Sequence, residues 1–162
     1  MDNRTLNIHY TLFDDEKELT DQDRRLLDKA RRASEHAYVP YSEFRVGSAV
    51  LLDNNVMLAG NNQENASFPL GLCAERVTLF SAMSQYPEAK VTAMAVYGNP
   101  KHFKMKQYLS PCGGCRQVMS EYERRGKQKI HLLLAGNAGK IMMIEGVDNL
   151  LPFEFSSENM HG

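Results

Sequence analysis

Three cysteines constrain this 162-residue chain more than any other feature: Cys73, Cys112 and Cys115 are the only ones it has. An odd number argues against a framework of paired disulfides. Nor are the three scattered. Cys73 opens the run Cys73-Ala74-Glu75, and the other two form Pro111-Cys112-Gly113-Gly114-Cys115. Thiolates are good zinc ligands, and a catalytic zinc keeps three protein ligands with one position left for water. Spacing by three places Cys112 and Cys115 on one face of a helix's first turn. Cys73 supplies the third sulfur from another helix start, so the fold must bring two helix N-termini together. Those N-termini carry partial positive charge, which eases thiol deprotonation.

Other uses of these cysteines are open at this level. A histidine can close a structural tetrahedron, and His36, His102 and His131 are available, although none stands in ligand spacing with a cysteine. An isolated C-x-x-C also fits a redox pair, but that leaves Cys73 and Glu75 without a role. A zinc ion lowers the pKa of a coordinated water toward neutrality, and hydrolysis then needs a carboxylate beside it to move protons. Glu75 is the candidate; a stabilising acid in a helix's first turn is its plainer use. Residues two apart do not share a helix face, so Cys73 has to sit at an irregular helix start. Three thiolates around Zn²⁺ leave a net charge of −1, and Arg76 and Arg116 each follow a site residue directly. Either can offset that charge, or lie solvated at the surface.

Around this pattern the chain reads as an α/β domain. Thr20 or Asp21 caps a helix with Leu26, Leu27, Ala30, Ala33 and Ala37 at helical spacing, ended by Pro40. Residues 44–52 and 56–60 predict two strands joined at Asp53-Asn54-Asn55. A helix over 73–85 turns Val77 and Phe80 inward, with Met83 or Ser84 beside them. A strand follows over 90–97, and 98–110 is a loop. A helix starts near Pro111 and stops at Gly126, and strands cover 130–135 and 140–144. The pattern predicts a sheet covered by helices. Residues 1–19 form a polar extension, 20–156 the domain and 157–162 a tail.

The formal net charge is −1, which argues against nucleic-acid binding, a function that needs clustered Lys and Arg. No leader of the secretory type and no apolar run able to span a bilayer is apparent. The expectation is a cytoplasmic protein with no membrane partner.

Four blocks carry a wider likeness: Ala37-Tyr38-Val39-Pro40-Tyr41-Ser42-Glu43-Phe44-Arg45-Val46-Gly47, Asn62-Gln63-Glu64-Asn65-Ala66-Ser67, Cys73-Ala74-Glu75-Arg76, and Pro111-Cys112-Gly113-Gly114-Cys115-Arg116-Gln117. On these the chain resembles the cytidine deaminase family, in its shorter three-cysteine class; the cysteine set, the non-ligand Glu and P-C-x-x-C are what zinc deaminases share. The resemblance implies a three-layer α/β/α sandwich with a five-stranded mixed sheet, a zinc cofactor, and a homotetramer whose active sites are shared between subunits. It implies hydrolytic deamination of cytidine and 2′-deoxycytidine, as in pyrimidine salvage, through zinc-bound hydroxide and proton transfer by Glu75. Asn62 and Glu64 would bind the ribose, Phe44 the pyrimidine face, and the region of Ala74 and Glu75 the base edge. Arg76 would bond the zinc thiolates. Phe155 would reach a neighbouring subunit's site, with Phe153 two residues away as its competitor. Phe68, Gln63 and Asn61 depart from the family's usual residues. A deaminase of a modified cytosine nucleoside such as blasticidin S, and a non-catalytic zinc module, are the alternatives.

Overall fold

In the computed structural model, which describes residues 1–160, strands whose side chains alternate between two apolar layers form the middle of the molecule. The strands are β1 (Thr11–Phe13), β2 (Phe44–Leu52), β3 (Met57–Asn61), β4 (Val91–Pro100), β5 (His131–Gly136) and β6 (Ile141–Glu145). They form one mixed sheet in the order β1-β6-β5-β4-β2-β3. Only the β4–β5 pair is parallel, and the chain crosses between those two strands through α3 (Gly113–Gly126), as parallel neighbours require.

Alternation assigns the faces. In β2, Val46, Val50 and Leu52 enter one core with Met94, Val96, Leu132 and Leu134. Ala49 and Leu51 enter the other with Ala93, Ala95 and Leu133. α1 (Asp21–Ser34) covers the second face with Leu26, Leu27 and Ala30, while α2 (Ala74–Gln85) and α3 cover the first. The result is the expected three-layer sandwich. α1 lies directly on the strand backbone at Gly47, where an added Cβ would come 1.9 Å from Ala30 O and 2.5 Å from Ser34 N.

The count of five strands is corrected to six. β1, from the polar extension, pairs antiparallel with β6 through Thr11–Met143 and Phe13–Ile141, covering an edge that would otherwise expose unpaired backbone groups. Beyond it, Asp15 and Glu18 cap a single 3₁₀ turn, and Leu19 is buried in the α1 core. α1 ends at Ser34, not Pro40. α2 turns Thr78, Leu79, Ala82 and Met83 inward, whereas Phe80 is exposed. α3 retains Gly126, and Lys127 takes the left-handed C-cap with φ 53°. Of the tail, residues 157–159 form another 3₁₀ turn; residues 161 and 162 lie outside the described residues.

Candidate metal centre and active site

Local backbone chemistry brings the first cysteine into place. Gln63 and Leu72 exchange backbone hydrogen bonds at 2.9 Å in each direction, and Tyr38 N–H donates to Asn62 O at 3.1 Å. The polar run before Cys73 is therefore a paired segment between the chain after α1 and the residue just before the cysteine. Cys73 is the N-cap of α2, with extended angles of φ −68° and ψ 150°. This is the irregular start that Cys73 and Glu75 together require. Cys112 likewise caps α3, with φ −68° and ψ 165°. Neither thiol is consumed in capping its helix.

The three sulfurs converge. Cys73 Sγ lies 3.9 Å from Cys112 Sγ, and Cys112 Sγ lies 3.5 Å from Cys115 Sγ; all three fall within 4.8 Å of one another. Tetrahedral zinc with Zn–S bonds of ~2.3 Å places its sulfurs ~3.8 Å apart, so the donor set and spacing fit that ion. Among the described residues no histidine joins the cluster: His102 pairs with Glu43 and His131 with Glu145. Cys115 is buried, Cys73 half-buried and Cys112 exposed, so the cluster runs from the core to the surface.

Glu75 is only 4% exposed. Burial raises its carboxyl pKa, and the neighbouring Cys73 charge adds to the shift. A carboxyl raised by burial in this way is better matched to proton transfer than an exposed one. The Cys73 thiol is pulled down to about 5 by hydrogen bonds from Cys115 and Arg76, against its own burial. Cys115 is pushed up by its bond to the Cys73 sulfur and by burial.

The two arginines separate. Arg76 Nη2 approaches Cys73 Sγ at 3.8 Å and Gly71 O at 3.5 Å, while its buried Nε has no partner among the described residues. Arg116 touches no sulfur: it donates to Pro111 O (2.9 Å), Leu150 O (2.7 Å) and Ser110 Oγ (2.8 Å). It ties the chain before Cys112 to the C-terminal segment. Sequence spacing left these two alike; three-dimensional neighbours distinguish them.

A cleft of ≈360 Å³ is lined by Tyr41, Ser42, Glu64, Asn65, Phe68 and Gly71; the cysteines and Glu75 are not among its walls, and Arg76, which reaches both Gly71 O and Cys73 Sγ, links the two. Glu64 Oε2 accepts hydrogen bonds from the amides of Tyr41 (2.9 Å) and Ser42 (3.2 Å); desolvation raises its pKa, but the Ser42 side chain and these two amides together lower it overall. Asn62 lies behind: its Oδ1 accepts from Val46 N (2.8 Å) and its Nδ2 donates to Phe44 O (2.9 Å). Phe44 is half-buried against the α2–α3 core, 6.1 Å from the Phe103 ring. Ala74 has its side chain wholly buried in that core. Phe155 is exposed and meets α3 through its carbonyl, which accepts from Gln117 Nε2 at 2.7 Å; Phe153 is almost fully exposed, with φ 62°. Neither ring lines the cleft.

Comparison with known proteins agrees with this geometry. Residues 20–129 match the family model of the cytidine and deoxycytidylate deaminase zinc-binding region. A cytidine deaminase from Halalkalibacterium halodurans is 43% identical over 141 residues, covering 86% of this chain and 98% of the relative. One from Sporosarcina psychrophila is 35% identical over 137 residues, or 84% and 93% of the two chains. The crystal structure of cytidine deaminase from Burkholderia pseudomallei superposes with a TM-score of 0.71 at 36% identity, covering 85% of this chain and all of that one. The chain belongs to the zinc-dependent cytidine and deoxycytidylate deaminase family.

Proposed function

We propose that this protein hydrolyses cytidine and 2′-deoxycytidine to the corresponding uridines and ammonia. The observation that carries the reading is a buried carboxyl, Glu75, beside a three-thiol site that leaves no protein ligand for a fourth position among the described residues. Cys73, Cys112 and Cys115 would hold a zinc ion, which when bound would supply the acidified water that hydrolysis needs. Attack of the water oxygen on C4 forms the C–O bond while Glu75 takes one water proton and gives it to N3; Glu75 then moves the remaining hydroxyl proton to the amino group, and the C4–N bond breaks to release ammonia. Its raised pKa suits both directions of transfer. Arg76 offsets thiolate charge at Cys73.

The nucleoside is held by the cleft and the residues behind it. Glu64 has Oε1 available for a ribose hydroxyl, since its amide partners use Oε2. Asn62 retains one N–H and one lone pair beyond its two backbone bonds. Phe44 offers a ring face to the pyrimidine, and the backbone at Ala74 and Glu75 its polar edge. A homotetramer with shared sites is supported by the exposed Phe68, Leu70, Phe153 and Phe155, apolar area that a monomer would leave in water. Sedimentation at monomer mass would remove that part. The deaminase core is assigned to 20–156 and the compartment to the cytoplasm; among the described residues no helix is long and apolar enough to cross a membrane.

The test is Glu75→Gln. The variant should keep its zinc and bind cytidine, with turnover reduced by at least ~100-fold. Normal turnover would refute the proton-transfer role.

A further inference from the structure

The turn between α1 and β2 contains a backbone angle that the local sequence does not favour. Glu43 has φ 52°, a left-handed conformation disfavoured for a non-glycine residue. Its backbone is nonetheless tied on both sides: Glu43 N–H donates to Val39 O at 3.1 Å, and Lys101 N–H donates to Glu43 O at 3.1 Å. Its carboxylate is taken by two side chains from the segment after β4, Lys101 Nζ at Oε1 and His102 Nε2 at Oε2. The next residue, Phe103, lies against Phe44. The run Lys101-His102-Phe103 therefore grips the turn at three consecutive positions.

In that turn, Tyr41 and Ser42 line the cleft assigned to the nucleoside. The amides of Tyr41 and Ser42, just before Glu43, bind Glu64 Oε2. Ser42 Oγ accepts from the amide of Phe44, just after it, at 3.1 Å. We propose that Glu43 is a positioning residue for substrate binding, its ion pairs with Lys101 and His102 holding the strained turn that orients Glu64 and Phe44. The proposal rests on the assignment of Glu64 and Phe44 to the nucleoside. It is a local effect by magnitude. Exposed ion pairs are individually weak, too weak to govern the fold, but two of them with the backbone bonds at Glu43 bias which conformation a short strained turn holds.

Kinetics with cytidine on zinc-loaded protein test this, comparing Glu43→Ala, Glu43→Gly, the double variant Lys101→Ala/His102→Ala, and Glu64→Gln. Glu43→Ala should raise KM about two- to five-fold, with kcat within about two-fold of the parent and unaltered zinc content. Glu43→Gly should raise KM less, because glycine accepts φ 52° without strain. Adding Glu43→Ala to the double variant should raise KM no further, since the same contacts are already gone. A parental KM in Glu43→Ala alongside a raised KM in Glu64→Gln would overturn the clamp and leave the nucleoside site standing. A parental KM in Glu64→Gln as well would overturn that site. Equal losses of zinc, kcat and KM in Glu43→Ala would make Glu43 a general folding residue and also overturn the proposal.

Discussion

Replacing Asn62 by alanine removes two hydrogen bonds that close the start of β2. Val46 N–H loses its acceptor at 2.8 Å, and Phe44 O loses its donor at 2.9 Å. A buried polar group left unpaired costs ~1–3 kcal/mol. Val46 is buried but Phe44 only half so, and water partly replaces the second bond; the net loss should be about 2 kcal/mol. For a chain of this size that lowers Tm by about 4–8 °C. Asn62→Asp keeps an acceptor for Val46 but sets an oxygen against Phe44 O, so it should cost at least as much near neutral pH. Circular-dichroism melts of zinc-loaded protein measure both variants. A Tm within about 1 °C of the parent in Asn62→Ala would refute the bracing role. If KM for cytidine still rose in that case, Asn62 would act on ligand alone.

Gly47→Ala should fail to give a stable protein: the new methyl would meet the α1 backbone at 1.9 Å, and overpacking of this kind costs about 1–3 kcal/mol or more; parental thermal stability would show that α1 does not sit so close. Arg116→Ala should accelerate zinc loss to a chelator, because the chain before Cys112 loses its ties to Leu150 and Ser110, and unchanged release would confine Arg116 to general packing. Acid should erase the contribution of Glu43, whose pKa is lowered to about 2 by bonds from Lys101 and His102. A carboxyl with a depressed folded-state pKa stabilises above its unfolded value of about 4.3 and loses that effect as pH falls toward the folded value. The Tm difference between parent and Glu43→Gln should therefore close as pH falls from about 4.3 to 2; a difference that persists at the acid end would place the effect elsewhere.

The metal site was legible because ligand chemistry is tied to residue identity and short spacing. The geometric conflict between Cys73 and Glu75 even indicated the helix start at which Cys73 stands. Periodicity found the long strands and α1, whose buried residues repeat at helical intervals. It failed where no period exists. β1 is three residues in a polar segment, paired only because β6 has an edge to cover. α2 is apolar on several sides, so spacing turned Phe80 inward where the fold buries Leu79 instead. The roles of Arg76 and Arg116 depend on neighbours 3 to 34 residues away, and the ties of Glu43 span 58 and 59. No local signal reports such contacts. A charged residue where the chain turns left-handed becomes notable only once φ is known.

The central claim is that the three-thiol site and Glu75 together catalyse hydrolysis of a cytosine nucleoside. Its most direct test is to mix purified, zinc-loaded protein with cytidine, follow the ultraviolet spectrum, and assay ammonia in the same samples. The account predicts conversion of the cytidine spectrum to that of uridine, with one ammonia released per nucleoside, and loss of both signals in Glu75→Gln. An unchanged spectrum and no ammonia, with cytidine and 2′-deoxycytidine alike, would contradict it.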